Sequence, residues 1–208
     1  MKHLLFIVGI FVLVLQVAIG QTIPYSLSPL AIQIPTNTPG YVLDVTSEVE
    51  GKNVAQYKID GVIFKKPIKL SDSVQLDGDG RGVLALMRRL FNDYAKQDVD
   101  SVADCYTPDA AKAISNILSN HEAEVSMKAE VAKYTNPQLE CVFKHFGDLI
   151  VMIRCNDSPD HQKMMAFQLV KIKEDYRIFA GEIPEKKYTN LLAYLAVHPA
   201  TDLLQEHP

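Results

Sequence analysis

Residues 83–110 read VLALMRRLFNDYAKQDVDSVADCYTPDA, and their reading decides the fold class. Val83, Leu84, Met87, Leu90, Phe91 and Tyr94 recur at three- and four-residue spacing, while Arg88, Arg89, Asn92 and Lys96 fall mostly on the other side. This is the stripe of a helix with one face in a core, spanning about 83–96. Gln97-Asp98 interrupts it, and Asp98 or Asp100 can cap a short second helix that holds Val102 and Cys105. Thr107-Pro108 then starts a third, with Thr as N-cap, Pro at the first helical position and Asp109 in the first turn. That helix is expected to reach Leu118.

Toward the C-terminus the helical period gives way to strands. Residues 119–134 admit two readings. Val125, Met127, Ala129 and Val131 alternate with Ser126, Lys128, Glu130 and Ala132 as in a strand, yet the residue types favour helix and Ser119-x-x-Glu122 resembles a capping box; a helical turn followed by a strand is the expectation. Residues 139–146, 149–155, 163–173 and 176–183 then read as four strands, the last two joined at Glu174-Asp175, followed by an amphipathic helix over 186–197 and a tail over 199–208. If the turn between the first two strands centres on Asp148, Cys141 and Cys155 face each other and can form a cross-strand disulfide. A slip of one residue puts them on opposite faces, where they are two buried thiols. Cys105 is read as a buried thiol.

Toward the N-terminus, residues 1–20 carry Lys2, an apolar run from Leu4 to Leu15, and small residues at Ala18 and Gly20. These are the parts of a secretory signal peptide, cleaved near Gly20 to release an exported (periplasmic or secreted) chain; an uncleaved anchor is the alternative. Pro24, Pro29, Pro35 and Pro39 make 21–40 an extended leader. Residues 41–70 read as a small β meander with strands at 41–46, 54–59 and 62–68, the last two turning at Asp60-Gly61. Residues 71–82 form a linker ending in DGDGRG (77–82). Asp77 and Asp79 sit where a calcium loop needs ligands, but its fifth and twelfth positions are Arg81 and Arg88, so no metal is expected. The 48% hydrophobic content is enough for a real core. A formal charge of −4, or −5 once Lys2 is removed, with no clustered basic face, argues against nucleic acid as a partner.

FNDYAKQDVDSVADCYTPDA (91–110), followed by helices and by hairpins ending in MMAFQLVKIKEDYRIFAGEI (164–183), resembles the nuclear transport factor 2-like (polyketide-cyclase-like) superfamily over residues 83–183. The resemblance implies an α+β domain over 83–198 in which a curved antiparallel sheet wraps cone-like around the long helix and leaves a pocket at its open end, here with the N-terminal β meander appended. It also implies that the fold can pair through an open sheet face. Its members include isomerases, dehydratases, cyclases, carriers and proteins without chemistry, so the fold does not choose among them.

Polar residues that could reach such a pocket are Asp93 and Tyr94 on the first helix, His145 and Arg154 in the hairpin, Gln168 on the next strand, and Tyr176. Each has a plainer reading: Tyr94 as a core tyrosine, His145 as a solvated residue beside a turn, Arg154 as a paired structural charge. No Gly-x-Ser-x-Gly, phosphate loop, His-x-x-x-His or Cys-x-x-Cys occurs. Asp157, Asp160 and His161 read as a solvated turn, and Asn156-Asp157-Ser158 fits an N-glycosylation acceptor in a eukaryotic host. The expectation is an exported, non-enzymatic module that binds a small apolar ligand or a protein partner, a second copy included, without a cofactor. The alternative is a pocket enzyme of isomerase or dehydratase type using acid–base chemistry.

Overall fold

A computed structural model describes residues 21–44, 53–181 and 185–204 of the 208-residue chain. The expected signal segment, the turn at 50–53 up to Lys52, and the end of the last expected strand at Ile183 lie outside the described residues. Helix α1 (Gly80–Lys96) stops where Gln97 turns left-handed at φ 55°. Asp98, next in the chain, caps α2 (Val99–Ala103) by accepting from the Ser101 N–H. Thr107 precedes Pro108 at the first position of α3 (Pro108–Leu118). The end of the first helix and the starts of the other two stand where their local signals put them, because caps and proline act within one turn, although α1 begins at Gly80 inside the expected linker and Thr107 makes no side-chain capping bond.

Residues 121–131 overturn the expectation of a strand: they form helix α4 (His121–Val131), capped by the Asn120 side chain, which accepts from the N–H groups of Glu122 and Ala123. Glu122 and Glu124 in its first turn suit the helix dipole, and Lys128 pairs with Glu124 one turn away at 2.5 Å. Only Val131 is buried. Met127 and Val131, one turn apart, pack against the core while Val125 is exposed, so the contacts follow the helical period and not the alternation.

Six strands form one antiparallel sheet in the order β2-β3-β5-β6-β7-β8, made of β2 (Ser28–Pro35), β3 (Val54–Lys69), β5 (Thr135–His145), β6 (Asp148–Ser158), β7 (His161–Ile172) and β8 (Asp175–Phe179). A short parallel pair, β1 (Thr22–Ile23) with β4 (Gln75–Leu76), lies apart from it. Part of the segment expected as a leader is thus an edge strand of the main sheet, with Ile32 and Ile34 fully buried. Nor does the chain turn at Asp60-Gly61. Strand β3 runs straight through, with Gly61 opposite Ser28 on one side and Phe143 on the other. A side chain at 61 would lie 2.6 Å from the Phe143 ring and 2.8 Å from the Val142 carbonyl, so glycine serves close packing there, not a turn.

The β5–β6 turn is Phe146-Gly147, with His145 opposite Asp148 and Phe146 left-handed at φ 52°. This corrects the turn centred on Asp148 and with it the disulfide. Cys141 lies opposite Met152, while Cys155 lies opposite Lys163 on β7. The two thiols belong to cores on opposite faces of the sheet, and all three cysteines are free and buried.

Both faces of the sheet are covered. On one, Val142, Leu149, Val151, Ile153 and Phe167 meet Leu84, Met87, Leu90 and Phe91 of α1. On the other, Phe143, Ile150 and Met152 meet Tyr188, Leu191 and Leu195 of α5 (Lys186–Leu195). Two-sided burial explains the unbroken apolar runs of β5 and β6. Within the expected tail, Ala200–Leu204 forms a 3₁₀ turn packed on β2 and β3, and its Leu203 is fully buried. Removing that side chain from water contributes about 1.5–3 kcal/mol.

Candidate functional site

The long helix α1 presents Asp93 and Tyr94 near its C-terminal end. Tyr94 belongs to the core stripe: its ring meets Phe91 edge-on at 5.3 Å and Tyr134 at 6.1 Å, and Phe91 in turn meets Phe167 at 6.1 Å. The Tyr94 hydroxyl is hydrogen-bonded to that of Tyr106, and burial drives its pKa far above the ordinary tyrosine value. Tyr94 is a satisfied core tyrosine. The space between α1 and the sheet is occupied by these rings together with Leu90, Val102 and Cys105.

Asp93 is different. It is 8% exposed, its nearest cation is Arg89 Nε at 3.7 Å, and Oδ2 has no hydrogen-bond partner among the described residues. Burial raises its pKa, against the opposing pull of Arg89. Arg89 is itself shared with Asp104, at 3.2 Å.

The remaining candidates lie elsewhere. Tyr176 is half-buried at the other end of α1, where its ring sits against Gly82 and under Lys171 Nζ at 5.8 Å. Residues 82 and 93 are about 16 Å apart along a helix, so Tyr176 and Asp93 do not share a site. His145 and Arg154 project to the opposite face. His145 is buried, contrary to the expectation of a solvated residue beside the turn: its ring stands edge-on to Tyr188 at 5.3 Å, and Nδ1 is 3.2 Å from Glu185. Arg154 pairs with Glu140 and donates through Nη2 to the carbonyls of Leu195 and His198, both at 2.8 Å. Gln168 donates to Asp148 Oδ2 at 2.7 Å and stands opposite Phe179 on β8. The six candidates are therefore scattered over both faces, and no carboxylate and Tyr or His among them converge on open space.

Three of the buried polar residues escaped the sequence reading: Thr38, whose hydroxyl donates to the Pro35 carbonyl at 2.7 Å, Glu140 and Asn190. Glu140, 2% exposed, lies in the apolar run of β5 and accepts from Arg154 and from the Ala200 N–H at 3.1 Å; Arg154 stands opposite Gln138 and Glu140 falls at the register shift between Leu139 and Cys141, so no simple hairpin pairing marked the two as partners. Asn190 is fully buried on α5. It accepts from Val42 N–H at 2.7 Å and donates to the Val42 carbonyl at 3.0 Å and the Tyr57 hydroxyl at 2.8 Å. Nothing in the sequence near Asn190 marked it.

An open groove of about 570 Å³ follows β7 and β8, lined by Phe167, Gln168, Ile178 and Phe179 with Tyr106 and Gly181. Among the described residues no cluster of His, Cys, Asp or Glu is arranged to hold a metal, and no helix is long and apolar enough to cross a membrane. Asp77 accepts from the Tyr25 N–H, and Asp79 pairs with Lys171 at 3.3 Å, so the glycine-rich linker spends both carboxylates on the fold. Comparison with protein-family models, with curated proteins and with solved structures finds no match.

Proposed function

We propose that this chain is an exported, non-enzymatic interaction module of nuclear transport factor 2-like architecture, with its sheet curved cone-like about α1, and that it pairs with a second copy through the outer face of β7 and β8. The observation that carries the reading is the filled interior. Where the resemblance implies a pocket, Phe91, Tyr94, Tyr134 and Phe167 pack ring against ring. The apolar surface left open lies outside instead: Ile172 is 38% and Phe179 45% exposed on strands beyond the reach of the 3₁₀ turn. Asp175 and Arg177 border that patch on β8. The two lie 4.0 Å apart within the chain, and pairing about a two-fold axis would let each acid meet the base of the other copy.

Light scattering on residues 21–208, up to millimolar concentration, tests the pairing. A dimer abolished by Phe179→Asp supports it, and a monomer at every concentration overturns it. Native mass spectrometry of the same sample tests the other half of the reading, since a co-purifying apolar molecule would make the chain a ligand carrier.

One observation favours the acid–base alternative: among the described residues Oδ2 of Asp93 is buried without a hydrogen bond, with only Arg89 Nε beside it at 3.7 Å. A retained ligand that the parent protein converts and Asp93→Asn leaves unchanged would put that enzyme in place of the first reading.

A further inference from the structure

One end of the sheet is built irregularly. Register shifts fall in β3 between Ile63 and Ile68, in β5 between Thr135 and Gln138, and in β6 between Asn156 and Ser158. Asn136 is left-handed at φ 50°, a conformation asparagine tolerates better than most residues. The Leu70 N–H, donating to the Pro137 carbonyl at 3.0 Å, holds the end of β3 against this bulged segment. Across the strands, Lys69 stands opposite Gln138, and Asn156 stands between Thr135 and Gln162. The result is a cleft of about 300 Å³ lined by Lys69, Ser71, Asn136, Gln138, Asn156 and Gln162, with Pro137 as its apolar wall.

Four carboxamides line it; Lys69, Ser71, Asn136 and Gln162 are exposed, Gln138 and Asn156 half-buried, and among the described residues none of these six side chains has a hydrogen-bond or ion-pair partner. Bulges that break the ladder are over-represented beside binding and active sites as well as at sheet edges. We propose that this cleft binds a hydroxyl-rich ligand, a neutral or singly acidic mono- or disaccharide. The chemistry of the lining selects that class. A carboxamide offers a donor and an acceptor in one plane, which matches a hydroxyl that is both. A cation would need carboxylates, and none lines the cleft. A multiply charged anion would need more than the single ammonium of Lys69, and an apolar ligand would find only Pro137. The volume is at the small end of the roughly 300–1,000 Å³ of ligand pockets. The site lies on other residues than the β7–β8 patch and stands whether or not the chain dimerises.

The test is an NMR titration of ¹⁵N-labelled residues 21–208, made without an N-glycan at Asn156, with cellobiose, maltose, N,N′-diacetylchitobiose and digalacturonate in turn, and with inorganic phosphate as control. Saturable shifts of the Gln138, Asn156 and Gln162 side-chain amides with at least one sugar are the expected result. Asn156→Ala and Gln162→Ala should each weaken binding about five-fold, the effect of one net hydrogen bond. Gln162 is exposed, so its variant keeps the fold even if the half-buried Asn156 is less tolerant, and the spectrum itself reports folding. Absence of saturable shifts with every sugar overturns the proposal, as do shifts with phosphate equal to those with the sugars, or shifts confined to the surface around Ile172 and Phe179.

Discussion

The Arg154 guanidinium holds the Glu140 carboxylate across the β5–β6 hairpin and, through the same Nη2, donates to the carbonyls of Leu195 and His198 at the end of α5. Glu140 in turn accepts from the Ala200 N–H at 3.1 Å. One ion pair thereby closes a helix C-terminus, starts the 3₁₀ turn and ties both to the sheet. Glu140→Ala leaves a guanidinium inside with half its partners gone and is expected to cost about 3–5 kcal/mol, the usual penalty for breaking a buried pair from one side. Urea unfolding measures it. A loss under about 1 kcal/mol would mean that water takes the place of the carboxylate.

Asp93 gives a prediction of opposite sign. Its folded pKa is raised by burial, so the folded state binds the proton more tightly than the unfolded state does. Its contribution to stability is therefore most favourable below the unfolded value of about 3.9 and is lost as pH rises through the raised folded value. Asp93→Asn should be more stable than the parent at neutral pH, with the gain vanishing in acid. If the variant is less stable at neutral pH, the pairing with Arg89 outweighs the burial.

Asn190 links α5 to the 41–44 segment and to β3 through three hydrogen bonds. Asn190→Ala leaves Val42 and the Tyr57 hydroxyl without those partners and should cost about 1–3 kcal/mol. Hydrogen exchange is the sharper readout, because the Val42 amide should lose its protection while amides in β6 keep theirs. Unchanged exchange at Val42 would show that other contacts hold the segment.

The three thiols are buried, and burial raises the pKa of Cys105 and of Cys155 to about 11 and lifts that of Cys141 as well. Few thiolates are present at mildly alkaline pH, so an alkylating reagent should leave the native protein untouched and label three thiols once it is unfolded without reductant. Labelling of a single thiol would instead reveal a disulfide.

What was legible beforehand was local. Gln97-Asp98, Thr107-Pro108 and the stripe from Val83 to Tyr94 act through hydrogen bonds and packing within a few residues, and each stands in the structure where its signal lay. The last two strands and α5 were likewise readable, the β7–β8 turn falling one residue early because Lys173 takes the left-handed position at φ 58°. Asp60-Gly61 carried the same kind of local signal and misled. Its meaning is set by the Phe143 ring, some eighty residues on, and no turn preference contains that information.

By itself, then, the sequence determined the end of α1, the starts of α2 and α3, an α+β composition and a core that faces α1, because caps, proline and apolar period are properties of neighbouring residues. Only the tertiary structure decided that part of the presumed leader is the edge strand β2, that Cys141 and Cys155 lie on opposite faces, that Arg154 has a partner in Glu140, and that the six pocket candidates do not meet. Each of these depends on register. A shift of one residue in a strand reverses every side chain on it, and pairing between distant segments fixes that shift.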